Sequence, residues 1–141
     1  MSEEKHLKIA GEMKQVSEAC RWVVQVAEES GLPMRDVNHL ELAVDEAVTN
    51  IIEHGYGHQG EGKSIDIVVA HRPNEVRVTI IDEGPQFDPL RQEAPNPLTA
   101  LDDRSDSGGG WGVFFIQKVM DEVSYTYAES KNHLVMTKRL G

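Results

Sequence analysis

The sequence predicts an α+β sandwich of two layers, with helices on one face of a mixed, mostly antiparallel sheet. Three observations lead there. Two stretches of helical periodicity come first, two alternating stretches around the turn "RPNE" follow, and a third helical stretch with a second alternating pair closes the chain. A helix with one apolar stripe and a strand pair with one apolar face bury those surfaces most simply against each other.

"HLKIA" at residues 6–10 alternates weakly and suits a short edge strand. From about Lys14 to Ser30, Val16, Cys20, Val23, Val24 and Ala27 recur at helical spacing, and Gly31 with Pro33 beyond it stops the helix. A second helix is expected from about Met34 to His54, where Val37, Leu40, Val44, Val48 and Ile51 repeat at three and four residues before Gly55 and Gly57 end it. "SIDIVVAH" and "EVRVTIID" then read as a hairpin. The stretch from Glu83 to Gly110 is rich in Pro, Gly and Asp and lacks periodicity, so it reads as a long loop of the kind that binds or moves. "GWGVFFIQKVMDEV" resumes a helix, and "EVSYTYAE" with "NHLVMTKRL" forms a closing hairpin around "SKN".

The 141 residues suit one domain with a sizeable core, and neither a repeat nor a linker divides them. Asp and Glu number 24 against 14 Lys and Arg, a formal net charge of −10, so most of the surface would repel a phosphate backbone and nucleic acid is not an expected partner. The opening "MSEEKHLKIAGE" lacks the basic and apolar segments of a secretory signal, and no apolar run approaches the roughly 20 residues that span a bilayer. A soluble cytoplasmic protein without a membrane partner is expected. Cys20 is the sole cysteine, which excludes an intrachain disulfide and reads as a small buried helix residue.

Three short segments carry chemistry. In "ELAVDEAVTNIIEHGYG", Glu46 and Asn50 stand four residues apart and leave one face of the helix a turn apart, beside the apolar face of Val44, Val48, Ile51 and Ile52. A carboxylate and a neutral amide oxygen suit a hydrated Mg²⁺ that keeps its waters while binding phosphates; an acid and an Asn that simply face solvent are the bland alternative. In "IIDEGPQFDP", Asp82 ends an apolar strand and Gly84 follows. The pair suits an exocyclic amine approaching the backbone closely, and suits equally a plain strand-to-turn cap. In "SGGGWGVFFI", Gly108, Gly109, Gly110 and Gly112 open a helix whose bared N–H groups and dipole favour phosphate over a mere hinge.

The ordered set of acid-xxx-Asn, Asp-x-Gly and a glycine-rich helix start resembles the GHKL ATPases with their Bergerat ATP-binding fold, over roughly residues 6–140. "DEAVTNIIEHGYG", "DEGPQFDP" and "GGGWGVFFIQKVMDEV" look most like the bacterial anti-sigma regulatory serine/threonine kinases. The resemblance implies a single domain over residues 1–141 with an ATP lid at about 85–110. It implies Glu46 as general base, Asn50 as Mg²⁺ ligand, Asp82 as reader of the adenine amine with Gly84 beside the base, and Gly108, Gly109, Gly110 and Gly112 around the phosphates. Arg104, in the lid, would meet the γ-phosphate or remain a solvated lid arginine. His54 and Tyr56 match the family's "HxY" ending and read as structural. Gln86 stands where the pattern often has a second glycine, and Trp111 replaces a usual small or aliphatic residue.

The function so implied uses ATP and Mg²⁺: an anti-sigma factor kinase that sequesters a sigma factor and phosphorylates a serine or threonine of an anti-sigma factor antagonist. A nucleotide-gated binding module without phosphoryl transfer would need the same contacts and stands as the alternative. A homodimer could form through the sheet face opposite the helices or through the first helix with Trp22 and Val26, although "CRWVVQVAEE" reads first as core.

Overall fold

The computed structural model describes residues 3–57, 62–91 and 108–140. Five strands form one sheet in the order β1-β2-β3-β5-β4: β1 (Glu3–Ala10), β2 (Ser64–Arg72), β3 (Glu75–Asp82), β4 (Glu122–Ala128) and β5 (Lys131–Arg139). Every pairing is antiparallel, so the sheet expected to be mixed has no parallel pair among the described residues. Helices α1 (Val16–Glu29), α2 (Met34–Asn50) and α3 (Gly108–Val119) cover one face, with α2 packed between α1 and α3.

The period-2 pattern decides what that face buries. On β2, Ile65, Ile67 and Val69 point inward; on β3, Val76, Val78 and Ile80 do; on β5, Leu134 and Met136 do. They meet Val23, Leu40, Val44, Val48 and Ile116 in one apolar core. The α1 stripe belongs to this core: Val26 is buried and Trp22 packs against it, as the reading of "CRWVVQVAEE" anticipated. Cys20 is buried too, and burial with Asp45 and Glu41 nearby pushes its thiol up to about 11.

Two departures from the sequence reading bear on the site. The second helix does not run regularly to His54; after Asn50 it widens into a π-helical turn, Ile51–Gly55, closed by Tyr56 N–H donating to Ile51 O at 2.7 Å. The β4–β5 hairpin turns at Glu129 and Ser130, both at positive φ (55° and 62°), one residue earlier than "SKN" suggests.

Candidate functional site

The inward row of β3 reads Val76, Val78, Ile80, Asp82, so the alternation that buries three aliphatic side chains also carries a carboxylate inward at the strand's end. Asp82 is 6% exposed. Its Oδ1 accepts from Gly84 N–H at 2.8 Å and from Asn132 Nδ2 at 3.0 Å. Burial raises the carboxyl above its ordinary range, while these donors and nearby His133 oppose the rise.

A pocket partly open to solvent lies against this carboxylate. Its lining brings together α2 and its π turn (Ala47, Asn50, Ile51, Gly55), the end of β3 with the loop beyond it (Asp82, Pro85, Phe87, Pro89), and the β4–β5 hairpin (Tyr125, Asn132, Leu134). The walls are mostly apolar and the polar groups few, as in small-molecule pockets generally. Asn50 and Asp82, 32 positions apart in sequence, thus share one cavity.

Gly84 has a steric reason. A Cβ there would stand 3.0 Å from Asp82 Oδ1 and 3.4 Å from both Gly55 O and Tyr56 Cε1, so any side chain would press on the carboxylate. Tyr56 itself is structural: its buried hydroxyl donates to Ser64 O at 2.7 Å and accepts from Glu83 N–H at 2.9 Å, pinning the loop after β3 to the start of β2. Burial pushes its phenol up to about 12, so it stays protonated. His54 is exposed on the π turn.

Glu46 and Asn50 are half-buried one turn apart on α2, though Glu46 is not part of the cavity lining. Gly108, Gly109, Gly110 and Gly112 occupy the first turns of α3, where unpaired helix N–H groups gather. Arg104, and residues 92–107 of the stretch expected to form an ATP lid at about 85–110, lie outside the described residues. Among the described residues no group of three or more His, Cys, Asp or Glu is placed to hold a metal ion. Asn50 offers one neutral oxygen, a donor set suited to an ion held chiefly by phosphates and water.

Sequence reasoning missed Asn132 and Tyr125. Both lie on the last hairpin, and only the register that sets Asn132 opposite Asp82 reveals them. A signal existed: Asn132 begins the inward row Asn132, Leu134, Met136 of an otherwise apolar pattern.

Residues 9–138 match the family described as the histidine kinase-like ATPase domain. Two curated relatives, the serine-protein kinases RsbW of Staphylococcus aureus strains bovine RF122 / ET3-1 and MRSA252, are each 31% identical over 115 residues, spanning 80% of this chain and 72% of theirs. A crystal structure of the RsbU and RsbW domains of Rv1364c from Mycobacterium tuberculosis matches in fold with a TM-score of 0.64 at 19% identity, over 98% of this chain and 32% of that one. With its sheet, its helices and its buried strand-end carboxylate, the chain belongs to the histidine kinase-like ATPase domain family, among relatives that are RsbW-type serine-protein kinases.

Proposed function

We propose that the chain is an ATP- and Mg²⁺-dependent serine/threonine-protein kinase that sequesters a sigma factor and phosphorylates an anti-sigma factor antagonist. The observation that carries the reading is Asp82, a buried carboxylate with one oxygen held by protein donors and its side chain on a mostly apolar cavity shared with Asn50. Such an acceptor suits an exocyclic amine such as adenine's. The RsbW relatives supply the kinase class and the partner type.

In this reading the nucleotide's base lies against Asp82 and Gly84, and its phosphates extend toward the N-terminus of α3, whose glycine N–H groups favour negative charge. Mg²⁺, when bound through Asn50, would offset charge on the phosphates. Glu46, one turn before Asn50, takes the proton from the substrate hydroxyl as its oxygen bonds to the γ-phosphorus. The bond to the β–γ bridging oxygen breaks and ADP leaves. Arg104 is proposed as a γ-phosphate contact from the lid. Self-association through the outer sheet face, where Val68, Ile81 and Val135 are half-buried, is part of the proposal, as is a cytoplasmic setting. No described helix is long and apolar enough to cross a membrane.

The test separates binding from transfer. Calorimetric titration with ATP, with and without Mg²⁺, is expected to show Mg²⁺-strengthened binding that Asn50→Ala weakens about tenfold or more, whereas Glu46→Ala retains binding and loses at least about 100-fold of transfer to the antagonist. Full transfer by Glu46→Ala would remove it as base. ATP binding by the wild type without transfer to any antagonist would leave a nucleotide-gated binding module.

A further inference from the structure

Every polar atom of the Asn132 side chain is engaged. Nδ2 donates to Asp82 Oδ1 at 3.0 Å, to Gly84 O at 3.1 Å and to Pro85 O at 3.0 Å, two hydrogens shared among three acceptors. Oδ1 accepts from Phe87 N–H at 3.1 Å and from the Tyr125 hydroxyl. The two ends of the amide meet opposite chemistry. A flip would set the NH₂ group against the Phe87 N–H and the oxygen against a carboxylate and two carbonyls, so one orientation is enforced; the Tyr125 hydroxyl, which also accepts from Phe87 N–H at 3.2 Å, can serve either.

The consequence falls on Asp82. With Gly84 N–H and Asn132 Nδ2 both on Oδ1, that oxygen is occupied and cannot rotate away without breaking two bonds. Oδ2 has no donor among the described residues and remains for whatever enters the cavity. The same amide binds the carbonyls of residues 84 and 85 and the N–H of residue 87, so the backbone wall beside the base is set by the atom group that sets the carboxylate.

We propose that Asn132, steadied by Tyr125, is the positioning residue for base recognition: it holds Asp82 as a fixed acceptor and thereby sets the preference for a purine presenting an amine over one presenting a carbonyl. The inference rests on the nucleotide reading above. Donation from Asn132 also opposes the burial that favours a protonated Asp82, and a protonated carboxyl would offer a hydrogen to a 6-oxo base. Removing the amide therefore both loosens the acceptor and weakens the discrimination.

Calorimetric titration of the full chain with ATP and with GTP, for the wild type, Asn132→Ala and Tyr125→Phe, tests this. Hydrogen bonds to charged groups are the stronger class, so Asn132→Ala should weaken ATP binding roughly 10-fold or more, leave GTP binding unchanged or tighter, and shrink the ATP/GTP ratio accordingly. Tyr125→Phe keeps the ring and removes one donor to Asn132, so it should move the ratio the same way by about 3-fold; it carries the test if Asn132→Ala does not fold. The KM for ATP should rise in step with the calorimetric Kd and by a larger factor than any change in kcat, a split that places the loss chiefly in binding. Unchanged ATP affinity in both variants, or ATP and GTP weakened by one common factor, would overturn the proposal and leave Asn132 a structural residue. A wild-type chain that binds no ATP would instead sink the nucleotide reading beneath it.

Discussion

The inward row of β5 ends on a polar residue at both extremes, and the two ends do opposite things. At one end Asn132 meets Asp82 and leaves a carboxylate oxygen for the cavity. At the other, Lys138, 8% exposed, donates to Val119 O at 2.7 Å and to His39 Nδ1 at 2.8 Å, tying the C-terminus of α3 to the first half of α2. Lys138 thus supplies a donor to a terminal helix carbonyl and a cation to the negative end of the helix dipole. Its partner must accept, so His39 is neutral with the proton on Nε2. A buried polar side chain closed on protein groups is architecture; one that leaves an acceptor aimed at a cavity is a site.

Substitutions at each end should therefore separate affinity from stability. The largest effect is expected of Asp82→Asn, which keeps an oxygen for Gly84 and Asn132 but replaces the remaining acceptor by a donor. ATP affinity should fall at least about 100-fold in calorimetry. Stability should not fall with it. Burial raises the Asp82 carboxyl, so the ionised form costs stability once pH exceeds that raised value; the variant should match or exceed the wild type in thermal melts at pH 7, and its advantage should shrink in acid. A variant both unable to bind and clearly less stable would erase the distinction between the ends.

Next in size, Lys138→Met should lower stability by about 1–3 kcal/mol in urea melts, because the Val119 carbonyl loses its buried donor, while ATP affinity stays within about 3-fold of the wild type. A large loss of affinity would show that the end of α3 far from its glycines transmits to the site.

The smallest effect concerns His39, lowered from 6.5 first by burial and then by Lys138 and Arg35, with Asp36 and Asp121 opposing. A depressed value means that the folded state disfavours the proton. The contribution is complete above pH 6.5 and is lost as pH falls through the lowered folded value. Denaturant midpoints measured from pH 7.5 down to 5 should show a decline that His39→Gln reduces, and an unchanged slope would exclude His39 as its source.

Much of this was legible beforehand. Helical periodicity gave α1 and α2 within a few residues, and alternation in "SIDIVVAH" and "EVRVTIID" gave both central strands and put Asp82 in phase with Val76, Val78 and Ile80. The π turn was not legible: nothing in "NIIEHGY" distinguishes a widened turn from a regular one, and the cost is met by contacts from Tyr56 to β2 and to the loop after β3. Nor was the last hairpin's turn, since Glu129 and Ser130 adopt positive φ without the glycine or asparagine that advertises it. Asn132 escaped notice for another reason: its partner Asp82 lies on β3, and the β3–β5 register is not written in either segment.

What the sequence by itself determined is local: which segments are helical, which alternate, and which residue types sit at a strand end or a helix start, because period and backbone permissiveness are properties of short stretches. What only the tertiary structure decided is which of those groups meet. The antiparallel register of β3 with β5 sets Asn132 opposite Asp82, and the packing of α2 on the sheet brings Asn50 to the same cavity. Hydrogen bonds between residues 50 positions apart depend on relative strand positions that no short window of sequence contains.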